Sequence, residues 1–346
     1  MPEVLVNGRY THQPMIGVKR YAQEVAGRLG EPLRLVTPPG SYTGSLGHLW
    51  EQVGLPRQVG RDDLLWSPAN TGPLSVASQV VTIHDLSSLE HPEWYDRRFA
   101  VWYRTLLPRL ARRVHKIITP SRFTLERLAT LLDIPEHKLI PIPEGVASHF
   151  RPAGEAEIAG VRSRYGLNAP YLLVVGSLEP RKNLPRLFQA WERIVEKEPG
   201  IELVLAGDRG PVFREAGYPR AAKGVRLLGR VDDAVLPALY SGAQATLAVS
   251  LYEGFGLPAL EAMACGAPLI ASKNTSIPEV VGEAALMVDP YEVEQIAEAM
   301  EKVLTDSACR EGLRSKGLQR ARLFSWEQTA QRTWEVLWQA LLERGG

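Results

Sequence analysis

Apolar and polar residues alternate along the chain in blocks that predict a strand, a turn and then a helix, several times over. Short apolar runs such as VVTI, YLLVV and IELVLA are typical of buried parallel strands. Stretches with apolar residues three and four positions apart, such as MIGVKRYAQEVAGRL and EVEQIAEAMEKVLTD, predict amphipathic helices that follow them. The pattern therefore predicts an α/β protein with two doubly wound, Rossmann-like domains.

A stretch rich in Pro, Gly and Ala interrupts this pattern at residues 141–170 and predicts the domain boundary. We expect one Rossmann-like domain over residues 1–150 and a second over residues 151–325. Residues 326–346 predict a last helix. Its tryptophans suit a face that docks either on the first domain or within the second.

The most informative stretch of the chain, SLYEGFGLPALEAMACGAPLIASKNTS, covers residues 250–276. It predicts a glycine loop, a helix with Pro258 in its first turn, a left-handed exit at Gly266 and a short buried strand. Gly254 and Gly256 let backbone N–H groups approach a ligand closely, and the start of a helix favours negative charge. This order of elements suits an anionic ligand.

Two glutamates flank that loop, with Glu253 at its start and Glu261 one turn into the helix. A carboxylate at the mouth of a phosphate site suits a neutral group such as a sugar hydroxyl, and Glu261 is placed to reach a ribose. The arrangement fits a sugar joined to a nucleoside diphosphate. On spacing alone, two solvated glutamates on a plain strand–loop–helix unit fit equally well.

Composition narrows the class of protein. The chain has 346 residues, of which 45% are apolar and 23% charged, as in globular enzymes, and its net charge of +1 gives no signature of nucleic-acid binding. Two cysteines form no disulfide framework and favour a reduced, cytoplasmic compartment. We find no D-x-D pair, clustered Cys and His, Walker loop or G-x-G-x-x-G dinucleotide loop. We therefore expect neither a metal nor a cofactor, and a dehydrogenase is disfavoured.

The spacing of Glu253 and Glu261 is the E-x7-E of retaining glycosyltransferases, and the surrounding LYEGFGLPALEAMACGAPLIAS resembles glycosyltransferase family 4. The run NTSIPEVVGEAALMVDP resembles the mannosyltransferase-like branch of that family. The resemblance implies a GT-B fold with an interdomain cleft, an acceptor-side first domain and a second domain that binds the nucleotide-sugar. It also implies that the last helix crosses back to the first domain.

The reaction that the resemblance implies is transfer of a hexose from a nucleoside-diphosphate sugar to an acceptor hydroxyl, with retention and without a metal. NTSIPEVVG and IHDLSSLEHPEW favour mannose from GDP-mannose, with a UDP-sugar as the main competitor. The acceptor, whether a polysaccharide, a lipid-linked glycan or a small metabolite, stays open. A nucleotide-sugar epimerase and a non-catalytic sugar-nucleotide-binding protein remain as alternatives.

In the second half, GSLEPRKN places Arg181 and Lys182 after an apolar strand that ends at Gly176. Two adjacent cations there suit a diphosphate, and the segment resembles the family's diphosphate clamp. The resemblance makes Arg181, Lys182 and Glu253 candidate catalytic residues. The other substrate-binding candidates of this half are Gly176, Arg230, Val231, Gly254, Phe255, Gly256, Leu257 and Glu261, with Arg230 and Val231 at the base.

In the first half, His84 and Asp85 directly follow VVTI, at the carboxyl end where open sheets bind ligands. A lone histidine is more often structural, but IHDLSSLEHPEW resembles the family's segment whose histidine approaches the donor sugar. His84 is therefore the fourth candidate catalytic residue, and Asp85, Gly17 and Ser121 are candidates for substrate binding. Departures from the family pattern are a lysine for a glycine and a glutamate for an asparagine, at Lys19 and Glu144.

Residues 94–127 form the most basic stretch, with nine Lys and Arg residues against two acidic ones. Its apolar residues recur at helical spacing: Phe99, Trp102, Tyr103, Leu106, Leu107 and Leu110. One interpretation is an amphipathic helix bound peripherally to the inner face of the membrane, near a lipid-linked acceptor. The other, which we favour, is a helix that buries this stripe and turns its basic face outward. No stretch has the length of a membrane span, and the N-terminus lacks a signal pattern.

Overall fold

The structure, a computed structural model, describes residues 3–12, 17–30, 33–40, 42–208, 212–214, 217 and 222–343. The chain divides into two compact units. Unit 1 comprises Met1–Pro92, Arg97–Gly145 and Ser325–Gly346, and unit 2 comprises Glu93–Asp96 and Val146–Phe324. The main division falls after Gly145, whereas the Pro- and Gly-rich stretch predicts it after residue 150.

Strands and helices alternate in both units. The strands are β1 (Val4–Asn7), β2 (Leu33–Val36), β3 (Leu64–Ser67), β4 (Gln79–Thr82), β5 (Lys116–Thr119), β6 (Leu139–Pro141), β7 (Tyr171–Val175), β8 (Glu202–Ala206), β9 (Val225–Gly229), β10 (Ala245–Ala248), β11 (Leu269–Ser272) and β12 (Leu286–Val288). The α-helices are α1 (Gly17–Ala26), α2 (Gly44–Leu49), α3 (Ser87–Glu90), α4 (Arg97–Arg113), α5 (Arg122–Leu132), α6 (Glu155–Tyr165), α7 (Leu184–Lys197), α8 (Leu236–Ser241), α9 (Leu257–Ala264), α10 (Ile277–Val281), α11 (Val293–Thr305), α12 (Ser307–Ala321) and α13 (Trp326–Leu342).

The sheet of unit 1 is parallel, with the strand order β2-β1-β3-β4-β5-β6. Strands β1, β3 and β4 are buried at every position, as their apolar runs predict for strands with both faces covered. The strand order changes direction between β1 and β3. In open α/β sheets, ligands bind at the carboxyl ends of the strands beside such a switch point.

The sheet of unit 2 is also parallel, with the strand order β12-β11-β10-β7-β8-β9. Here the chain starts in the middle at β7, moves outward through β9 and returns to place β10 against β7. This is the order of a dinucleotide-type Rossmann sheet, with its switch point between β7 and β10. Helices α7 and α11 pack their apolar faces, including the fully buried Trp191, on this sheet.

Several predicted helix ends are confirmed. Ser121 caps α5, because its Oγ atom accepts a hydrogen bond from the Thr124 N–H at 3.1 Å. Pro258 lies in the first turn of α9, and Gly266 leaves that helix with a φ of 69°. The predicted first helix begins at Gly17 in the structure, and Met15 and Ile16 of the predicted pattern lie outside the described residues.

Helix α4 buries its apolar stripe. Tyr103, Leu106, Leu107 and Leu110 are all buried within unit 1, and most arginines of the helix lie on its exposed face. The core-facing interpretation is therefore confirmed, and this stripe is not available to a membrane. Among the described helices, none combines the length and apolar content needed to cross a bilayer.

A helical stretch from Gly44 to Gln58 was not predicted. It begins as α2, continues as a π-helical turn at Trp50–Gly54 and ends as a 3₁₀ turn at Leu55–Gln58. Its residues include three glycines and one proline, which are poor helix formers, and propensity alone argues against a helix here. The π-helical turn carries Glu51, which is fully buried.

The last helix, α13, packs within unit 1. Trp326 and Leu337 are buried, and the ring of Trp326 lies edge-on to Tyr21 with 6.0 Å between centroids. Trp338 is 42% exposed and stacks on Trp334 instead of contributing to the core. Of the three tryptophans of this helix, Trp326 is therefore the one that is buried in unit 1.

Candidate functional site

Two loops meet at the switch point of unit 2. Loop A, residues 176–183, follows β7, and loop B, residues 249–256, follows β10. The N–H of Leu251 donates to the carbonyl of Arg181 at 2.7 Å, and the Asn183 side-chain amide donates to the carbonyl of Val249 at 3.2 Å. These bonds join the loops directly, because the sheet places β10 beside β7.

Glu253 of loop B forms ion pairs with both cations of loop A. Its Oε2 atom lies 2.8 Å from Arg181 Nη1, and its Oε1 atom lies 2.6 Å from Lys182 Nζ. Ser250 Oγ donates a further hydrogen bond to Oε1 at 2.8 Å. Glu253 is 6% exposed, so solvent screens these charges weakly. Three residues that the sequence predicts for the catalytic site therefore lie in one cluster.

A second carboxylate, Glu179, lies behind Arg181. It is fully buried and forms an ion pair with the Arg181 Nε atom, while its other oxygen, Oε2, has no hydrogen-bond partner among the described residues. Burial raises the pKa of Glu179, and the neighbouring cations only partly offset this. Burial also opposes ionisation of Glu253, but Lys182 and Arg181 outweigh it and lower the pKa of Glu253 to about 2.

A third segment fixes loop B from the other side. Between β11 and α10, the hydroxyl of Ser276 donates to the carbonyl of Glu253 at 2.8 Å, and the amide of Asn274 donates to the carbonyl of Leu251 at 3.0 Å. The Glu253 N–H donates to Thr275 Oγ1 at 3.3 Å. Thr275 has a φ of 56°, which is rare and strained for a β-branched residue.

The start of α9 completes this site. A cavity of about 20 Å³, lined by residues that include Lys182, Glu253, Gly256 and Pro258, lies between the loops and the helix. This volume holds about one water molecule. Gly256 is the N-cap residue with a φ of 104°, and Leu257 is the first residue of the helix. Since Glu253 occupies both cations and the cavity is small, an anionic ligand has to compete with this carboxylate.

The predicted base-binding residues lie at the carboxyl end of β9, the edge strand. Arg230 is exposed and Val231 is half-buried. The Gly207 N–H donates to the carbonyl of Gly229 at 2.8 Å, and the Gly176 N–H donates to the carbonyl of Ala206 at 3.0 Å. The ends of β7, β8 and β9 are thus tied together by backbone. A Cβ atom at Gly207 would lie 1.9 Å from the Gly176 carbonyl oxygen, so only glycine fits there.

Glu261 is placed differently from Glu253. It is 4% exposed, and its Oε2 atom accepts a hydrogen bond from the Tyr240 hydroxyl of α8 at 3.0 Å. The open alternative of two solvated glutamates is therefore wrong, since both carboxylates are buried. Phe255, between them in sequence, is also buried and lies edge-on to Phe324 at 5.9 Å.

In unit 1, His84 follows β4 and is held on all sides. Its Nδ1 atom lies 3.0 Å from Glu144 Oε1, and its Nε2 atom lies 2.9 Å from the carbonyl oxygen of Pro68. Its backbone N–H donates to the Asn70 side chain at 2.7 Å, and its carbonyl accepts from the Thr124 hydroxyl at 3.2 Å. The imidazole is buried, with both ring nitrogens engaged.

The other candidates of unit 1 lie on separate elements. Asp85 Oδ1 accepts bonds from the N–H and the hydroxyl of Ser87, at 3.0 and 2.6 Å, and so fixes the start of α3. Ser121 caps α5, whose Thr124 contacts His84. Gly17 is exposed at the start of α1, and Lys19 donates to the carbonyl of Thr11 at 3.1 Å.

A buried ion pair fills the switch point of unit 1. Arg9, just after β1, lies 3.0 Å from Glu51 of the π-helical turn, and Asn7 donates to the same carboxylate oxygen at 2.7 Å. Burial opposes ionisation of Glu51, but Arg9 and then His48 lower its pKa to about 2. The sequence pattern does not predict this cluster, because its members come from two segments about 40 positions apart.

Two family models match the chain, "Glycosyltransferase Family 4" over residues 38–150 and "Glycosyl transferases group 1" over residues 162–320. O-antigen chain mannosyltransferase B of Escherichia coli is 34% identical over 267 residues, which cover 75% of this chain and 70% of that protein. The chain belongs to glycosyltransferase family 4. The resemblance seen in the E-x7-E segment is thereby confirmed.

This family 4 glycosyltransferase is also 32% identical over 262 residues to the serotype-specific mannosyltransferase WbdA of Escherichia coli. That match covers 72% of the chain but only 32% of the longer WbdA. Among solved structures, Alr3699/HepE of Anabaena, determined with UDP and glucose, superimposes with a TM-score of 0.75 at 19% identity, covering 97% of this chain and 99% of that one. The predicted GT-B fold is therefore confirmed.

The glycosyltransferase thus has a compact charged cluster that the sequence anticipated in part. Arg181, Lys182 and Glu253 are brought together, and Glu261 lies one turn into α9, the helix that follows loop B. Sequence reasoning missed Thr275 and the role of Glu144 as a partner of His84. The run of side-chain donors in KNTS before Pro278 was the available signal for the first, and the departure from asparagine was the signal for the second.

Proposed function

We propose that this glycosyltransferase transfers a hexose, most readily mannose from GDP-mannose, to an acceptor hydroxyl of a growing glycan, with retention and without a metal. The observation that carries the proposal is the cluster of Arg181, Lys182 and Glu253 at the switch point of unit 2. The mannose preference is supported by the two mannosyltransferase relatives from Escherichia coli.

The donor's diphosphate binds Arg181 and Lys182 and takes the place of Glu253 there. Two cations and the N-terminus of α9 together suit a group that carries about two negative charges. Glu253, once released, accepts hydrogen bonds from the sugar hydroxyls. These bonds replace its ion pairs with Arg181 and Lys182. Stabilising the leaving phosphate by fixed donors is a large catalytic effect, and loss of one donor costs roughly 3 kcal/mol.

The nucleoside is bound by the remaining candidates of unit 2. Glu261 accepts hydrogen bonds from the ribose hydroxyls. The Tyr240 hydroxyl already donates to its Oε2 atom, so that bond is either kept beside the new ones or replaced by them. Arg230 and Val231 contact the base from the end of β9. In unit 1, the domain on the acceptor side, His84 acts in transfer. Gly17, Asp85 and Ser121, which lie on separate elements, bind substrate.

The decisive experiment is a screen of GDP-mannose, GDP-glucose, UDP-glucose, ADP-glucose and dTDP-glucose by thermal shift and by release of the free nucleoside diphosphate. We expect GDP-mannose to give both signals, and Arg181→Ala to lose both while Arg193→Ala, an exposed arginine of α7, keeps them. Stabilisation without turnover by any donor would indicate a binding protein. Conversion of the sugar without an acceptor would indicate an epimerase.

Two further properties follow from the same assay. NMR of the glycan product should give the anomeric configuration of the donor, and an inverted product would contradict retention. Chelation with EDTA should leave the rate unchanged, because Arg181 and Lys182 supply the charge that a divalent metal supplies elsewhere. A rate that falls with EDTA and returns with Mg²⁺ would contradict metal independence.

We also propose that unit 1 binds peripherally to an anionic membrane surface, through a face other than the α4 stripe. Three apolar residues of the helical stretch that begins as α2, and Tyr42 just before it, form an exposed row, 41–60% exposed: Tyr42, Leu46, Leu49 and Val53. His48 of α2 accepts a bond from Trp102 of α4 at 3.3 Å, so the two helices are neighbours. The exposed side of α4 adds arginines, which favour anionic headgroups.

Vesicle flotation tests this surface. The protein should float with vesicles that contain phosphatidylglycerol, not with pure phosphatidylcholine, and should be released by salt. Leu49→Ser should weaken binding, while Leu323→Ser, in unit 2 and equally exposed at 60%, should not. Equal behaviour of the two variants, or no flotation at low salt, would refute the membrane proposal.

A further inference from the structure

The hydrogen-bond partners of His84 define where its protons are. The carbonyl oxygen of Pro68, 2.9 Å from Nε2, can only accept, so Nε2 carries a hydrogen. The partner of Nδ1 is a carboxylate oxygen of Glu144 at 3.0 Å. Both ring nitrogens are therefore hydrogen-bonded to oxygen atoms of unit 1 itself. His84 and Glu144 are almost completely buried, with 6% and 4% of their surfaces exposed.

A hydrogen bond between Nδ1 and the Glu144 carboxylate needs one proton, which is bound either to Nδ1 or to the carboxylate. Imidazole holds a proton more strongly than a carboxylate by about two pKa units in water. Burial penalises a separated charge but much less a contact ion pair whose atoms are all hydrogen-bonded. A doubly protonated imidazole beside an ionised Glu144 gives each ring nitrogen a proton to donate, to Glu144 Oε1 and to the Pro68 carbonyl oxygen.

The other groups around the ring do not supply a competing proton. Tyr21 meets it edge-on at 4.7 Å, and its hydroxyl lies 3.3 Å from the Thr82 hydroxyl. Burial raises the pKa of Tyr21, which keeps that phenol neutral. Asp85, the next residue in the chain, has its carboxylate engaged by Ser87. Glu144 is therefore the charged group in hydrogen-bond contact with the ring.

We propose that Glu144 is a positioning residue that holds His84 in one orientation as a doubly protonated cation, so that His84 acts in sugar transfer as a fixed positive charge and not as a proton acceptor. The proposal rests on the proposed function, in which His84 acts in transfer. A general base needs a free lone pair within reach of the proton it removes. Neither ring nitrogen has one while Glu144 is ionised in place.

The identity of residue 144 matters for this role. The resemblance to the family implies asparagine here, and an amide can orient an imidazole but cannot balance its charge. Glutamate adds the countercharge. Glu144→Gln therefore separates the two effects, because a glutamine amide can donate to Nδ1 of a neutral ring and keep its orientation.

The test is ¹⁵N NMR of the full chain labelled at its seven histidines, with His84 assigned from the His84→Gln spectrum. At about pH 8, where free imidazole is neutral, we expect wild-type His84 to have both nitrogens protonated. In Glu144→Gln we expect a protonated Nε2 and an unprotonated Nδ1. Glu90→Gln, which removes the partner of Arg127 in the same unit, should leave the His84 signals unchanged.

Kinetics with the accepted donor give the second readout. Glu144→Gln should lower kcat about tenfold with little change in KM, because the charge acts on transfer and not on donor binding. Glu144→Asp should recover part of the loss. An unprotonated Nδ1 in wild type, or identical His84 signals in wild type and Glu144→Gln, would overturn the proposal.

The two readouts separate this inference from the proposed function. The NMR pattern needs no substrate, so absence of sugar transfer would refute the proposed function and leave the protonation of His84 decided by its spectrum. If Glu144→Gln does not fold, the wild-type titration alone decides, because a neutral ring at pH 8 contradicts the fixed cation.

Discussion

The carboxylate of Glu253 spans the two cations of loop A, with Oε1 2.6 Å from Lys182 Nζ and Oε2 2.8 Å from Arg181 Nη1. Glu253, which we propose to bind the sugar hydroxyls, is therefore ion-paired with Arg181 and Lys182, which we propose to bind the diphosphate. Substitutions within it should not act independently, because residues in one ion-pair network show interaction energies of about 0.5–3 kcal/mol.

The first prediction concerns this coupling. Lys182→Ala should lower kcat by roughly 10²-fold, since it removes a donor to the leaving phosphate. Glu253→Gln should also lower the rate, and the double variant should lose much less than the product of the two effects. Steady-state kinetics of the cycle measures this. Lys197→Ala, an exposed lysine of the same unit, is the control and should be neutral, and strictly multiplicative losses would contradict a shared network.

The second prediction is the pH dependence of stability at Glu253. Its carboxyl has a pKa of about 2 in the folded chain against an ordinary value of 4.5. The stabilisation it contributes is complete above pH 4.5 and is lost as pH falls toward 2, and it amounts to roughly 3 kcal/mol. Glu253→Gln should therefore unfold more easily than wild type at pH 7, with a difference that shrinks below pH 4.5.

Denaturant unfolding at a series of pH values, followed by tryptophan fluorescence, measures that difference. Glu301→Gln is a suitable control, because its carboxylate pairs with Lys197 in an exposed position and such pairs contribute little. If the difference between wild type and Glu253→Gln were constant from pH 7 to pH 3, the ion pair would not be the source of the stabilisation.

The third prediction concerns Thr275, whose hydroxyl accepts the Glu253 N–H and whose φ is 56°. Thr275→Ser keeps the hydroxyl and should transfer sugar at close to the wild-type rate. Thr275→Gly removes both the hydroxyl and the strain. We expect its stability to change by less than about 1 kcal/mol while its KM for the donor rises about fivefold, the size of one lost hydrogen bond.

Kinetics and thermal unfolding of the same samples separate the two effects for Thr275. A Thr275→Gly variant with an unchanged KM would mean that the segment between β11 and α10 supports the fold and does not position loop B. Thr275→Val, which keeps the branched shape without the hydroxyl, should resemble Thr275→Gly in KM but not gain from relief of strain.

The fourth prediction compares two glycines of unit 2. Gly207→Ala places a Cβ atom 1.9 Å from the Gly176 carbonyl oxygen and should destabilise the protein by roughly 3 kcal/mol. Gly160→Ala lies inside α6 with open space around it, and should stabilise by about 0.5–1 kcal/mol because alanine is the better helix former. Chemical unfolding should give opposite signs, and equal effects would refute the packing argument.

Sequence pattern predicted local structure well where one segment decides the outcome. The buried strands at VVTI and YLLVV, the cap at Ser121 and the exit at Gly266 depend on neighbours within a few residues. The helical stretch after Thr43 was missed, because its glycines argue against a helix and its stability comes from packing of residues such as Trp50 in unit 1.

The geometry of the site depended on strand order, which the pattern does not encode. Lys182 and Glu253 are 71 positions apart and meet because β10 returns to lie against β7. His84 and Glu144 are 60 positions apart and meet beyond the ends of β4 and β6, which lie on either side of β5. The residue types predicted which side chains belong to the candidate site. Which side chain each of them contacts depends on the order of the strands in the sheet.

The contact of Trp326 with Tyr21, and of Tyr21 with His84, links the last helix to the first. Helix α13 follows Val146–Phe324 of unit 2 in the sequence, so its contact with Tyr21, beside His84, cannot form until that stretch has been translated. Most of unit 2 is one continuous stretch, Val146–Phe324, and has no such delay. We expect a released chain truncated after Phe324 to protect unit 2 from proteases while unit 1 is digested, because the truncation removes α13 from unit 1.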